Sequence, residues 1–96
     1  MRFDWDPAKE RRNTAKHGLD FSWARLIFAD PKRAILYDRF DAGEHRWHAI
    51  GAVADGVRVL LAVHTYPDDD DPEWVRIVGL RKATAQERHR YNAEDV

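Results

Sequence analysis

The pattern of apolar and polar positions changes character near residue 33. Before it, apolar residues recur at helical spacing; after it, they come in short alternating runs rich in β-branched and aromatic residues. Asp6-Pro7 reads as an N-cap followed by proline at the first helical position, where the fixed φ fits and the missing N–H is not needed. The helix this opens runs through Ala8 to His17 and stops at Gly18, a residue that takes the left-handed C′ conformation without strain. Its surface is mostly polar and basic. Phe21, Ala24, Ile27 and Phe28 then fall on one helical face, widened by Trp23 and Leu26, with Asp20 or Ser22 as cap and Asp30-Pro31 as terminator. This second helix is the one expected to pack on a sheet.

Four strands are predicted beyond it: Ala34 to Arg39, Arg46 to Val53, Val57 to Tyr66 and Trp74 to Arg81. Asp41-Ala42-Gly43, Ala54-Asp55-Gly56 and an acidic loop separate them, and Asp55-Gly56 is a strong hairpin signal. Short loops make neighbouring strands antiparallel. Thr84-Ala85-Gln86-Glu87 has the spacing of a capping box and announces a short C-terminal helix through Tyr91. The expected architecture is α+β: an antiparallel sheet with two N-terminal helices packed on it and a closing helix.

With 96 residues and 44% apolar composition, residues 1–96 form one domain with enough apolar surface to build a core. Cysteine is absent, which excludes disulfides and thiolate chemistry. The sequence opens without an apolar leader, and no apolar run approaches the ~20 residues of a membrane span, so a soluble, cytoplasmic protein is expected. The net charge of −1 argues at first against a nucleic-acid binder. Five of the acids, however, lie between Asp68 and Glu73, and the rest of the chain without those five negative charges stands at +4. Basic patches remain possible elsewhere.

Period-two alternation puts Arg46 and His48 on one face of their strand, Arg58, His64 and Tyr66 on one face of theirs, and Arg76 with Lys82 on one face of the last. Where those faces coincide, the surface carries guanidinium, ammonium and imidazole groups and few carboxylates, which suits a phosphate backbone. A solvated sheet face is the better account of any one such arginine, whereas His64, between Val63 and Thr65, reads as well as a hydrogen-bonded core group as a catalytic one. His45 and His48 point to opposite faces of a strand, so zinc is not expected, and the acidic run lacks the glycine and spacing of a calcium loop. Phosphate-loop, dinucleotide and serine-nucleophile motifs are absent.

The series Phe3-Asp4-Trp5-Asp6-Pro7-Ala8-Lys9, Asn13 with Lys16-His17-Gly18, Phe21, Glu44-His45-Arg46-Trp47 with Ile50-Gly51, Val63-His64-Thr65-Tyr66, and Arg76 to Thr84 leading to Glu87-Arg88 and Tyr91 resembles, in order along nearly the whole chain, the BrnT toxin family. The resemblance implies a RelE-like fold and an endoribonuclease toxin of a type II toxin–antitoxin system, acting without metal or cofactor to inhibit translation. It implies a cognate DNA-binding, BrnA-like antitoxin as partner, contact with operator DNA mainly through that antitoxin, and RNA, free or on the ribosome, as substrate. By motif position it assigns Arg76 and Arg81 to phosphate and transition-state charge, Arg46 and Lys82 to their support, and His64 to proton transfer. Arg58, Tyr66 and Tyr91 are left to RNA binding, the tyrosines by base stacking. Strict alternation sets Arg81 opposite Arg76, so this assignment requires a bulge near Gly79 or an early end to the strand. The competing reading is a non-catalytic partner acting as co-repressor in the antitoxin–operator complex.

Overall fold

The computed structural model describes residues 1–54 and 56–93. Their order is β1 (Arg2–Asp4), α1 (Pro7–His17), a 3-10 turn (Phe21–Trp23), α2 (Ala24–Ala29), β2 (Ala34–Asp41), β3 (Glu44–Val53), β4 (Arg58–Thr65), β5 (Trp74–Lys82) and α3 (Ala85–Ala93). The class is α+β, as expected, but the sheet has five strands in the order β1-β5-β4-β3-β2 and is mixed. The extra strand is β1, whose Phe3 pairs with Val75 in parallel. Three residues are too few to show a period, so nothing in Arg2–Asp4 announces a strand; the parallel pairing is possible because the whole chain intervenes as a crossover.

The helix ends follow their predicted caps. Ala8 N–H donates to Asp6 Oδ1 at 2.9 Å, and Gly18, at φ 72°, donates its N–H to Thr14 O at 2.8 Å. Asp20 caps the next segment by accepting Ser22 N–H at 3.0 Å, and its first turn is 3-10 rather than α. The predicted capping box is present in both directions: Glu87 N–H donates to Thr84 Oγ1 at 3.2 Å and Thr84 N–H to Glu87 Oε1 at 2.8 Å. The β2–β3 hairpin turns on two residues, Ala42 and Gly43, both with positive φ. In the next turn Ala54 and Gly56 also have positive φ. Asp55, the other half of the predicted hairpin signal, lies outside the described residues.

Side-chain alternation sorts the core into two layers. On the first face of the sheet, Ala49, Val53, Leu60, Ala62, Val75, Ile77 and Leu80 pack against Leu19, Phe21, Ala24, Ile27 and Phe28. On the second face, Ala34, Ile50 and Leu61 pack against Ala83 and Tyr91 around α3. The closest approach is at Gly51, where an added Cβ would stand 3.0 Å from Ile27 Cγ2 and 3.0 Å from its carbonyl oxygen. Only glycine lets α2 sit this low on β3.

The first helix departs from the expected arrangement. No residue of α1 is buried; it lies along the border of β5 instead of lying on the sheet. Asn13 fixes it there, its side-chain amide donating to Leu80 O at 2.8 Å while Leu80 N–H donates to Asn13 Oδ1 at 3.1 Å. One side chain thus makes the pair of bonds that a sixth strand would make. Asp30 does the corresponding work at the other side of the sheet. Its Oδ2 accepts Ala52 N–H at 2.8 Å and the Tyr91 hydroxyl at 2.5 Å, tying the end of α2 to β3 and α3.

A cationic face and its two clefts

The feature that decides which side chains meet is a bulge in β5. Val63 pairs with Gly79 and His64 with Ile77, so Val78 is an extra residue that breaks the alternation. Arg76, opposite Thr65, and Arg81, opposite Leu61, therefore share the second face. This supplies the bulge that the assignment of both arginines required. The same bulge corrects the pairing of Arg76 with Lys82: Lys82, opposite Leu60, is exposed on the first face.

Arg46 and His48 do share the second face, as expected from their strand; His48 lies opposite Val63 and Leu36. Arg58, His64 and Tyr66 also share a face, but it is the first one. Arg58 lies over the Trp23 ring and is exposed, while His64 packs edge-on to Phe28 at 5.1 Å and to Tyr66 at 5.1 Å. His64 is fully buried, with Nε2 3.2 Å from the Tyr66 hydroxyl and Nδ1 without a partner. Desolvation pushes its imidazole down to about 4, so the ring is neutral near pH 7. It is packed as a core group, on the face opposite the one that carries Arg76 and Arg81. Tyr91 is likewise buried, its hydroxyl committed to Asp30, and its ring is not available for stacking on a base. Tyr66 is half-buried beside Trp47.

The second face also carries more carboxylate than expected. Arg76 donates through Nε to Asp4 Oδ1 at 2.9 Å, and Trp74 Nε1–H donates to Asp4 Oδ2 at 2.8 Å, so the missed strand β1 supplies the arginine's partner. The Arg76 hydrogen bond holds the Asp4 carboxyl below its usual range. Arg81 makes a two-pronged pair with Glu87 at 2.7 and 3.0 Å, which holds the Glu87 carboxyl down at about 2. Arg46 Nη1 lies 3.3 Å from Asp41 Oδ2, and His48 Nε2 lies 3.4 Å from Asp38 Oδ2. Each predicted cation of this face is therefore oriented by an acid, and each carries a preset direction at the cost of part of its field.

Two hollows flank these groups. One, about 350 Å³, lies between α3 and the sheet and is lined by Leu36, Tyr37, His48, Ile50, Gln86, Glu87 and Arg90. The other, about 340 Å³, lies between α1 and the sheet and is lined by Lys9, Arg12, Asn13, Lys16, His17, Arg46 and Val78. The α1 residues were not among the predicted site residues. Their signal was nonetheless in the sequence: positions 9, 12, 13 and 16 fall at i, i+3, i+4 and i+7 and make a single stripe on the helix. What the sequence withheld is that the stripe faces the sheet.

Residues 5–87 match the family model described as ribonuclease toxin, BrnT, of type II toxin–antitoxin system. No curated protein matches the chain.

Proposed function

Because the chain belongs to the BrnT family of ribonuclease toxins of type II toxin–antitoxin systems, we propose that its second sheet face binds and cuts RNA. The observation that carries this reading is the bulge at Val78, which sets Arg76 and Arg81 on the same face as Arg46, a face bordered by two open clefts. In this proposal the domain is a RelE-like nuclease that needs no metal. The ribose 2′-OH attacks the adjacent phosphorus, the P–O2′ bond forms as the P–O5′ bond breaks, and the products are a 2′,3′-cyclic phosphate and a 5′-OH. Arg76 and Arg81 stabilise the added negative charge on the phosphorane, with Arg46 in support, a role worth about 10²–10³ in rate for one well-placed donor. They enter the reaction by exchanging Asp4 and Glu87 for phosphate oxygens.

Proton transfer on this face falls to His48 in place of His64. It is the histidine of the strands that lies beside the arginines, it lines the α3 cleft, and Asp38 orients its ring. The 2′-OH proton passes to the His48 imidazole, which returns it to the 5′-oxygen as the P–O5′ bond breaks. Lys82 and Arg58, on the first face, have no part in this step; they remain available to flanking RNA. A type II toxin is paired with a protein antitoxin, and a BrnA-like, DNA-binding antitoxin is proposed to cover this face in the cytoplasm, silencing RNA cleavage and carrying the complex to its operator.

The test is cleavage of end-labelled RNA, with and without ribosomes, by antitoxin-free protein in excess EDTA. The expected result is cutting to cyclic-phosphate ends, reduced at least about 100-fold in Arg76→Ala and in His48→Ala. Far-UV circular dichroism of each variant confirms its fold. Cutting that stops with chelator, or that survives both substitutions, overturns the assignment.

A further inference from the structure

The cleft between α1 and the sheet differs from the rest of the second face in one respect. Arg76, Arg81 and Arg46 each have a carboxylate within 3.3 Å, whereas Lys9, Arg12 and Lys16 have no ion-pair partner among the described residues. None of the residues that line this cleft is acidic. Like charges gathered in one hollow repel one another, and in a chain whose net charge is −1 that concentration is not a by-product of a basic composition. The gathering is also held rigidly. Asn13, in the middle of the stripe, is bonded at both ends of its amide to the backbone of Leu80, which fixes the rotation of α1 and keeps the stripe on the side of the sheet.

Arg46 closes the cleft from the other side. It extends from β3 with its side chain only 17% exposed, and its Nε is buried with no hydrogen-bond partner. A guanidinium donor in that position is satisfied by an acceptor arriving in the cleft. His17, in the last turn of the helix, lines the same cleft.

Resting on the ribonuclease reading above, we propose that this cleft is a phosphate-binding track for the substrate RNA: Lys9, Arg12, Lys16 and Arg46 grip backbone phosphates next to the one being cut. From Lys9 to Lys16 the stripe runs about 10 Å along the helix, enough to follow a strand rather than to hold a single ion. Arg46 belongs both to this cleft and to the face of Arg76, and so joins the track to the scissile position. The grip acts on the backbone and is indifferent to base identity. Arg76 and Arg81 can then stay on their acids until a strand is already aligned by Lys9, Arg12 and Lys16.

The experiment measures binding of a fluorescein-labelled, 2′-O-methyl RNA, which cannot be cut, by anisotropy across a range of salt concentrations. Lys9→Gln, Arg12→Gln and Lys16→Gln combined in one variant are expected to weaken binding about tenfold or more at low salt, and to flatten the slope of log K against log salt by about 2, near 0.7 for each lost phosphate contact on a single strand. A charge-matched control, Arg11→Gln with Arg25→Gln and Lys32→Gln, is expected to bind within about twofold of the parent, which separates the track from total charge. If the parent binds and cuts RNA and the track variant does both equally well, the track is wrong and the ribonuclease reading stands. If the two triple variants lose affinity equally, the effect is net charge and the track is overturned. If the track variant keeps RNA affinity and loses only the antitoxin, the cleft receives an acidic protein segment instead. If the parent neither binds nor cuts RNA, both readings fall.

Discussion

His64 and His48 share a side-chain chemistry and differ in which way the strand points them. His64 is sealed between Phe28 and Tyr66 and held neutral by desolvation, with its pKa near 4; His48 stands in a cleft beside Asp38. The sealed histidine has a thermodynamic signature. Its folded pKa lies below the unfolded value of 6.5, so the unfolded chain binds the extra proton between these limits. The stability that this neutral ring contributes is fully present above pH 6.5 and is lost as pH falls toward 4, by up to about 3 kcal/mol. Urea denaturation from pH 7.5 down to 4.5 is expected to show that loss, and His64→Phe to flatten it in this window. A parallel loss in both proteins would assign the effect to other groups. No single sequence separates these two roles, because an alternating strand offers each histidine to one face without saying which face a helix will cover.

At the level of the elements, the close seat of α2 on β3 rests on the missing side chain of Gly51. Gly51→Ala puts a methyl group 3.0 Å from Ile27 on both its side chain and its backbone, and is expected to destabilise the fold by about 1–3 kcal/mol, read as a lowered urea midpoint with an unchanged m-value. What was legible in the sequence were the elements that announce themselves locally. Asp6-Pro7, Gly18 and Thr84-to-Glu87 carry their own hydrogen-bonding logic, and β2 to β5 carry their alternation. β1 stayed hidden because three residues show no period and its partner is about 70 residues away. The edge position of α1 stayed hidden because it depends on one long-range amide, Asn13 to Leu80, and not on an apolar stripe. The candidate arginines were found from motif order, whereas their acidic partners Asp4 and Glu87 and the cationic stripe of α1 needed the packed structure.

Across the whole molecule, charge is segregated rather than balanced. The net value of −1 conceals a basic cleft beside α1 and an acidic loop whose Asp68, Asp69 and Asp70 are all exposed. Replacing these three by asparagine raises the formal charge from −1 to +2 without disturbing the core. Association with RNA is expected to quicken several-fold at low ionic strength, with the gain disappearing near 1 M salt, where the screening length is about 3 Å. Stopped-flow anisotropy would show it; an unchanged rate at low salt would mean that the loop's field does not reach the approaching strand. The bulge at Val78 sets which face the charges of β5 take, because it acts as a parity bit for that strand. Without that one residue, everything on one side of it would invert: Arg76 would turn into the aromatic layer around Phe3 and Phe28, while Val75 and Ile77 would turn out toward the arginines. Packing and chemistry thus share a single point of failure, and the chain can drift by substitution along β5 far more freely than it can gain or lose one residue there.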